Sequence, residues 1–93
     1  MVVSKENILD VYKAVLNDKI KFSDADEWAW NIMQKVDERD IQFLPHEEEN
    51  LLWKLITYLY GIDIPSVDDR TRTARNKTDI INFLRSMKLE LNY

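Results

Sequence analysis

Residues 51–61 read LLWKLITYLYG and are rich in apolar side chains. Its apolar residues recur at the spacing of an amphipathic helix, and the predicted core face holds Leu51, Leu52, Leu55, Ile56 and Leu59. Gly61 follows the last of them, where a helix often ends in a left-handed residue. Pro45 is a favourable first residue for this helix. The stretch therefore predicts a buried helix that stops at the only glycine of the chain.

Three further segments show the same periodicity. One helix is predicted from about residue 5 to residue 18, with Ser4 as its N-cap. Another begins at Ser23 and buries a face formed by Ala25, Trp28, Ala29, Ile32, Met33 and Val36. The last is capped by Asn76 or Thr78 and places on one side Ile80, Phe83, Leu84, Met87 and Leu91. Residues 62–77 are the longest predicted loop.

One glycine and two prolines provide little turn chemistry for β-hairpins. We therefore predict an all-α fold, a single domain over residues 1–93 built as a bundle of about four helices, with no sheet. A chain of 93 residues is close to the usual size for one hydrophobic core.

Composition narrows the function classes. The chain has no cysteine, which excludes disulfides, thiolate zinc sites and thiol catalysis, and fits a reducing compartment. Its net charge of −4 disfavours non-specific binding to nucleic acids or anionic membranes. Neither a signal peptide nor an apolar run of about 20 residues is visible, so we expect a cytoplasmic protein without membrane contact.

The residues that could support catalysis are few. His46 is the only histidine, and the glutamates that follow it favour its charged form, which does not suit a general base. A metal bound by His46 with Glu49 or Asn50 would have too few ligands. The acids after Ser23 lack the glycine and the twelfth-position glutamate of a calcium loop. We expect no enzymatic activity, no metal and no cofactor.

Charge is distributed unevenly along the chain. The first 50 residues hold 12 acidic and 6 basic side chains, whereas the last 43 hold 5 acidic and 7 basic. Helical geometry places the aromatic residues Trp30, Trp53 and Tyr60 off the predicted core faces. Such rings either close the edge of the bundle or anchor a protein interface. Acidic side chains around them would steer a basic partner into contact.

The predicted partner-binding residues are Asp24, Asp26, Glu27, Trp30, Asp37, Glu38, Glu47, Glu48, Glu49, Trp53 and Tyr60. Asp40 belongs to the same acidic rim. A nuclease is a plausible partner, because enzymes that bind phosphate backbones have basic surfaces. The oligomeric state stays open.

An alternative function rests on the basic segment of residues 70–77, which contains Arg70, Arg72, Arg75 and Lys77. These side chains could grip phosphate and make the protein a small nucleic-acid-associated regulator. Binding is disfavoured because the segment contains no aromatic residue for base stacking and the whole chain is acidic. The segment could instead neutralise acidic helix ends of the same chain.

The chain also resembles the small, acidic, mostly helical immunity proteins of bacterial toxin systems, including those of contact-dependent growth inhibition. The similar stretches are residues 19–29 (KIKFSDADEWA), residues 51–65 (LLWKLITYLYGIDIP) and residues 79–84 (DIINFL). This resemblance implies an inhibitor that binds a cognate toxin in the cytoplasm of the producing cell. It carries over no catalytic or contact positions. The basic segment departs from the acidic character of that family.

Overall fold

The computed structural model describes residues 1–65, 67–68, 73, 75–89 and 91. Within them the chain forms four α-helices: α1 (Lys5–Leu16), α2 (Phe22–Asp37), α3 (Glu49–Leu59) and α4 (Lys77–Ser86). Two short strands, β1 (Val2–Ser4) and β2 (Gln42–Leu44), precede α1 and follow α2, and a 3-10 turn (His46–Glu48) precedes α3. The protein is therefore mostly helical, as predicted.

The prediction that the fold has no sheet is wrong. Strands β1 and β2 pair in parallel, with Val3 opposite Phe43 and Ser4 opposite Leu44. Val3 and Phe43 are buried, so the small sheet contributes one residue from each strand to the core. Helices α1 and α2 form the crossover that two parallel strands require. Three-residue strands are too short to show a local alternation that a sequence pattern can detect.

The helix starts match the sequence in two of four cases. The Ser4 hydroxyl accepts a hydrogen bond from the Asn7 N–H, and the Asn7 side chain accepts from the Ser4 N–H, which makes a capping box. Asn76 and Asp79 cap α4 in the same reciprocal way, so Asn76 is the cap rather than Thr78.

The other two helix starts differ from the prediction. Helix α2 begins at Phe22, and Ser23 lies in its first turn instead of capping it; the Asp24 carboxylate accepts from the Lys21 N–H and satisfies that end. Pro45 is followed by the 3-10 turn, and the α-helical hydrogen bonds of α3 begin only at Glu49.

Left-handed residues end the helices. Gly61 has a φ of 78° directly after α3, as predicted. Helices α1, α2 and α4 end without glycine, and Asp18, Arg39 and Lys88 adopt φ values of 59°, 57° and 60°. Helix α1 ends at Leu16, within two residues of the predicted end, whereas α4 ends at Ser86 and is shorter than its apolar pattern suggests.

The core is a cluster of buried residues from every helix and both strands. Helix α3 contributes Leu52, Leu55, Ile56 and Leu59, whereas Leu51 is half-buried. Tyr12 is fully buried beside them, and its hydroxyl donates a hydrogen bond of 2.6 Å to the Leu55 carbonyl. Burial raises the pKa of Tyr12 far above its usual value.

Candidate functional site

Helices α2 and α3 position most of the residues predicted to bind a partner. The Asp26 carboxylate, in the first turns of α2, accepts a hydrogen bond of 2.5 Å from the Gly61 N–H just past the end of α3. The start of α2 therefore lies beside the end of α3.

A stacked aromatic pair lies where these two helix ends meet. The rings of Trp30 and Tyr60 lie 5.5 Å apart between centroids, with 23° between their planes. Both rings remain accessible, with 44% and 47% of the surfaces of Trp30 and Tyr60 exposed. Trp30 lies one helical turn after Asp26, and Tyr60 directly precedes Gly61. The Asp26–Gly61 hydrogen bond therefore fixes the backbone that brings the two rings together.

Acidic side chains border this pair. Glu27 and Asp24 are exposed, and Glu27 lies three residues before Trp30 on the helix surface. Asp26 is half-buried, with its carboxylate engaged by Gly61. The structure thus brings together four of the predicted residues, which we call the aromatic–acidic patch: Asp26, Glu27, Trp30 and Tyr60. Asp24 lies in the first turn of α2, where its carboxylate accepts from the Lys21 N–H.

The remaining acidic residues lie at the end of α2 and around the start of α3. Asp37 and Glu38 end α2, roughly 15 Å along the helix axis from Glu27. Lys5 contacts Glu48 at 3.1 Å, Lys35 contacts Glu38 at 3.5 Å, and the imidazole of His46 lies 3.8 Å from Glu49. Asp37 and Glu47 are exposed and have no ion-pair partner among the described residues. The acidic rim is therefore two separate groups.

Trp53 is not part of the exposed aromatic pair. It is half-buried and packs against the core cluster, which is the arrangement expected of a ring that closes the edge of the bundle. Tyr60 lies just past the end of α3 at Leu59 and has extended backbone angles. Of the three rings that the sequence placed outside the core, Trp30 and Tyr60 form the exposed pair.

The basic segment is only partly described, since Arg70 and Arg72 lie outside the described residues. Lys77 contacts the Asp18 carboxylate at 2.6 Å, so this cation is neutralised within the chain. The Arg75 guanidinium lies 4.4 Å above the centre of the Tyr58 ring, and its Nη1 donates to the Tyr58 carbonyl at 3.3 Å. The two neighbouring cations therefore have different partners: Lys77 pairs with Asp18, and Arg75 stacks on Tyr58.

An open groove of about 320 Å³ lies beside Arg75, and no local sequence pattern predicted it. It is lined by Lys54, Thr57, Tyr58, Tyr60, Arg75 and Phe83. The rings of Tyr58 and Phe83 stack with centroids 3.8 Å apart and planes inclined by 10°. Burial raises the pKa of Tyr58, against the opposing effect of the Arg75 charge. Tyr58 and Phe83 are 25 positions apart on different helices, so no local pattern could have paired them.

The described residues contain no group of three or more histidine, aspartate and glutamate side chains arranged to hold a metal ion. His46 is exposed, and Glu49 is the acidic group beside it. Over the same part of the chain, the helices are too short or too polar to cross a bilayer.

Comparison with known proteins gives no further assignment. No family model matches the chain, and neither a curated protein nor a solved structure matches it. The resemblance to immunity proteins thus stays a prediction from the sequence.

Proposed function

We propose that this protein is a stoichiometric inhibitor, an immunity protein that binds and neutralises a cognate bacterial toxin in the cytoplasm. The observation that carries the proposal is the Trp30–Tyr60 stack, in which two large rings are held together yet remain nearly half exposed. Tryptophan and tyrosine are enriched among the residues that dominate protein–protein binding energies. A preformed pair also loses little conformational freedom on binding.

The charge around the stack favours a basic partner. Glu27 lies three residues before Trp30 on α2, and Asp37 and Glu47 belong to a second, separate acidic group. Complementary charges accelerate encounter and exclude partners of like charge. A nuclease fits this requirement, since its substrate surface must be basic in order to bind phosphates. Covering that surface needs no catalytic group on the inhibitor.

The experiment is co-purification of the tagged protein with the product of the adjacent gene, at moderate and at high salt. A one-to-one complex with a protein that is toxic when expressed alone supports the proposal. Trp30→Ala should then release the partner, whereas Leu44→Ala should retain it. Leu44 is a suitable control because it is apolar, similarly exposed at 41%, and lies in β2 away from the patch. A neighbour that neither binds nor is toxic contradicts the proposal.

A further inference from the structure

The groove beside Arg75 combines positive charge with aromatic surface. Among the described residues, its lining contains two cations, three aromatic rings and no carboxylate. At about 320 Å³ it is at the small end of ligand sites, which are typically about 300–1,000 Å³. An acidic protein that keeps one concave region free of acids offers a local site for an anion.

Arg75 is held in place there by its aromatic neighbour. Its guanidinium and the Phe83 ring are both within 4.4 Å of the Tyr58 ring centre, which places them on opposite faces of that ring. One Arg75 donor is used by the Tyr58 carbonyl. The remaining guanidinium N–H groups have no carboxylate partner among the described residues. The outer face of the guanidinium therefore presents a planar positive charge that is held in position before any ligand binds.

Lys54 provides the second charge. It is exposed on α3 and makes no ion pair with any described residue. Asp79 raises the pKa of Tyr58, but its carboxylate accepts from the Asn76 N–H in the helix cap. Lys54 and Arg75 therefore line the groove as two cations that form no ion pair with any described residue.

We propose that this groove binds one nucleotide unit, either a free nucleotide or one residue of a single strand. The phosphate is placed between Lys54 and Arg75, and the base stacks on the open guanidinium or on the outer face of Phe83. Cations beside aromatic surfaces are the recurring arrangement in sequence-tolerant binding of single strands. An acidic peptide would use the cations alone and gain little from the rings. This inference does not depend on the inhibitor function.

The test measures binding of two probes at low ionic strength. One probe is AMP, followed by calorimetry, and the other is a fluorescein-labelled twelve-nucleotide thymidine oligonucleotide, followed by anisotropy. Saturable binding of AMP assigns the groove to free nucleotides. Binding of the oligonucleotide without AMP assigns it to single strands. Either result supports the proposal if the groove variant described next reduces it, and binding of neither probe overturns the proposal.

The groove variant is Lys54→Gln/Arg75→Gln, and the matched control is Lys35→Gln/Arg39→Gln. The control removes the same charge at the far end of α2, where Lys35 contacts Glu38. The groove variant should weaken binding at least tenfold and reduce the salt slope of oligonucleotide binding by about 0.7, because one phosphate is no longer neutralised. Equal loss in both variants, or tighter binding of a labelled polyglutamate peptide than of either probe, overturns the proposal. Circular dichroism confirms that both variants are folded.

Discussion

The carboxylate of Asp26 accepts a hydrogen bond from the backbone N–H of Gly61 and joins the start of α2 to the end of α3. Gly61 is in the left-handed conformation, and its preceding residue, Tyr60, stacks on Trp30. One acidic side chain thus holds the turn that presents the exposed aromatic pair. Asp26 consequently has a structural role whether or not it also touches a partner.

Replacement of Asp26 should destabilise the fold. Asp26→Ala removes a charge-assisted hydrogen bond to a backbone N–H in a half-buried turn, so the free energy of unfolding should fall by about 2 kcal/mol. Urea denaturation measures the change. Glu27→Ala is the matched control, because that side chain is exposed and should change stability by less than about 0.5 kcal/mol. Equal effects of the two variants would show that the hydrogen bond contributes nothing.

Any side chain introduced at Gly61 should lower the free energy of unfolding. With φ at 78°, a Cβ atom here is strained and would lie 3.0 Å from Cδ1 of Ile64. Gly61→Ala should therefore cost about 1–2 kcal/mol of unfolding free energy. Lys88→Gly, at a left-handed position occupied by a lysine, should not destabilise the fold, since glycine relieves that strain. Thermal denaturation compares the two, and a loss of similar size in both would contradict the argument.

The sequence predicted the helices well because each buries an amphipathic face within its own segment. Ser4, Asn76 and Gly61 were recognisable as end residues for the same local reason. The sheet was missed because Val3 and Phe43 are 40 positions apart, and each strand is three residues long. The early end of α4 was missed because Lys88, not a glycine, adopts the left-handed conformation.

Tyr12 should stabilise the core through its hydroxyl as well as its ring. Tyr12→Phe removes the hydrogen bond to the Leu55 carbonyl and should lower the free energy of unfolding by about 1 kcal/mol. Tyr58→Phe is the comparison, because no hydrogen bond from the Tyr58 hydroxyl occurs among the described residues. Urea denaturation at neutral pH should show the larger loss for Tyr12→Phe. The reverse order would mean that the buried hydroxyl is not stabilising.

Tyr12 should also make the fold sensitive to alkali. Burial raises its pKa in the folded state, whereas in the unfolded chain it titrates near the ordinary tyrosine pKa of about 10. Above that pH the folded state keeps a proton that the unfolded state loses, so stability falls as pH rises, by up to about 1.4 kcal/mol per unit. Well below about pH 10, Tyr12 is protonated in both the folded and the unfolded state, so its contribution to the free energy of unfolding does not change with pH. Tyr12→Phe should therefore lose less stability than the parent protein between pH 9 and pH 11; parallel losses would refute this.

The candidate site was predictable in part. Trp30 lies off the core stripe of α2 by helical geometry alone, and the acidic residues beside it are visible in the sequence. Its stacking on Tyr60 depends on how α3 ends and how two helices pack, which no local pattern contains. The same limit applies to Trp53, whose half-burial comes from neighbouring elements. The groove of Tyr58, Phe83 and Arg75 likewise exists only after α4 packs on α3.

Trp30 should be an anchor residue in the complex with the proposed toxin partner. Trp30→Ala removes half of the stacked pair and should weaken the complex by more than about 2 kcal/mol, because rings of this kind carry most of the binding energy at an interface centre. Circular dichroism should show intact helices, since Trp30 is 44% exposed. Trp53→Ala is not equivalent, because that ring supports the core.

Charge reversal separates steering from anchoring in the same complex. Glu27→Lys, beside the stack, should slow association and flatten its dependence on salt, while the dissociation rate changes less. Glu6→Lys is the matched control, since Glu6 is also exposed but lies on α1. Stopped-flow association rates at two salt concentrations compare the variants. If both reversals slow association equally, the whole negative charge of the protein attracts the partner, and if neither does, the partner docks on a face other than the aromatic–acidic patch.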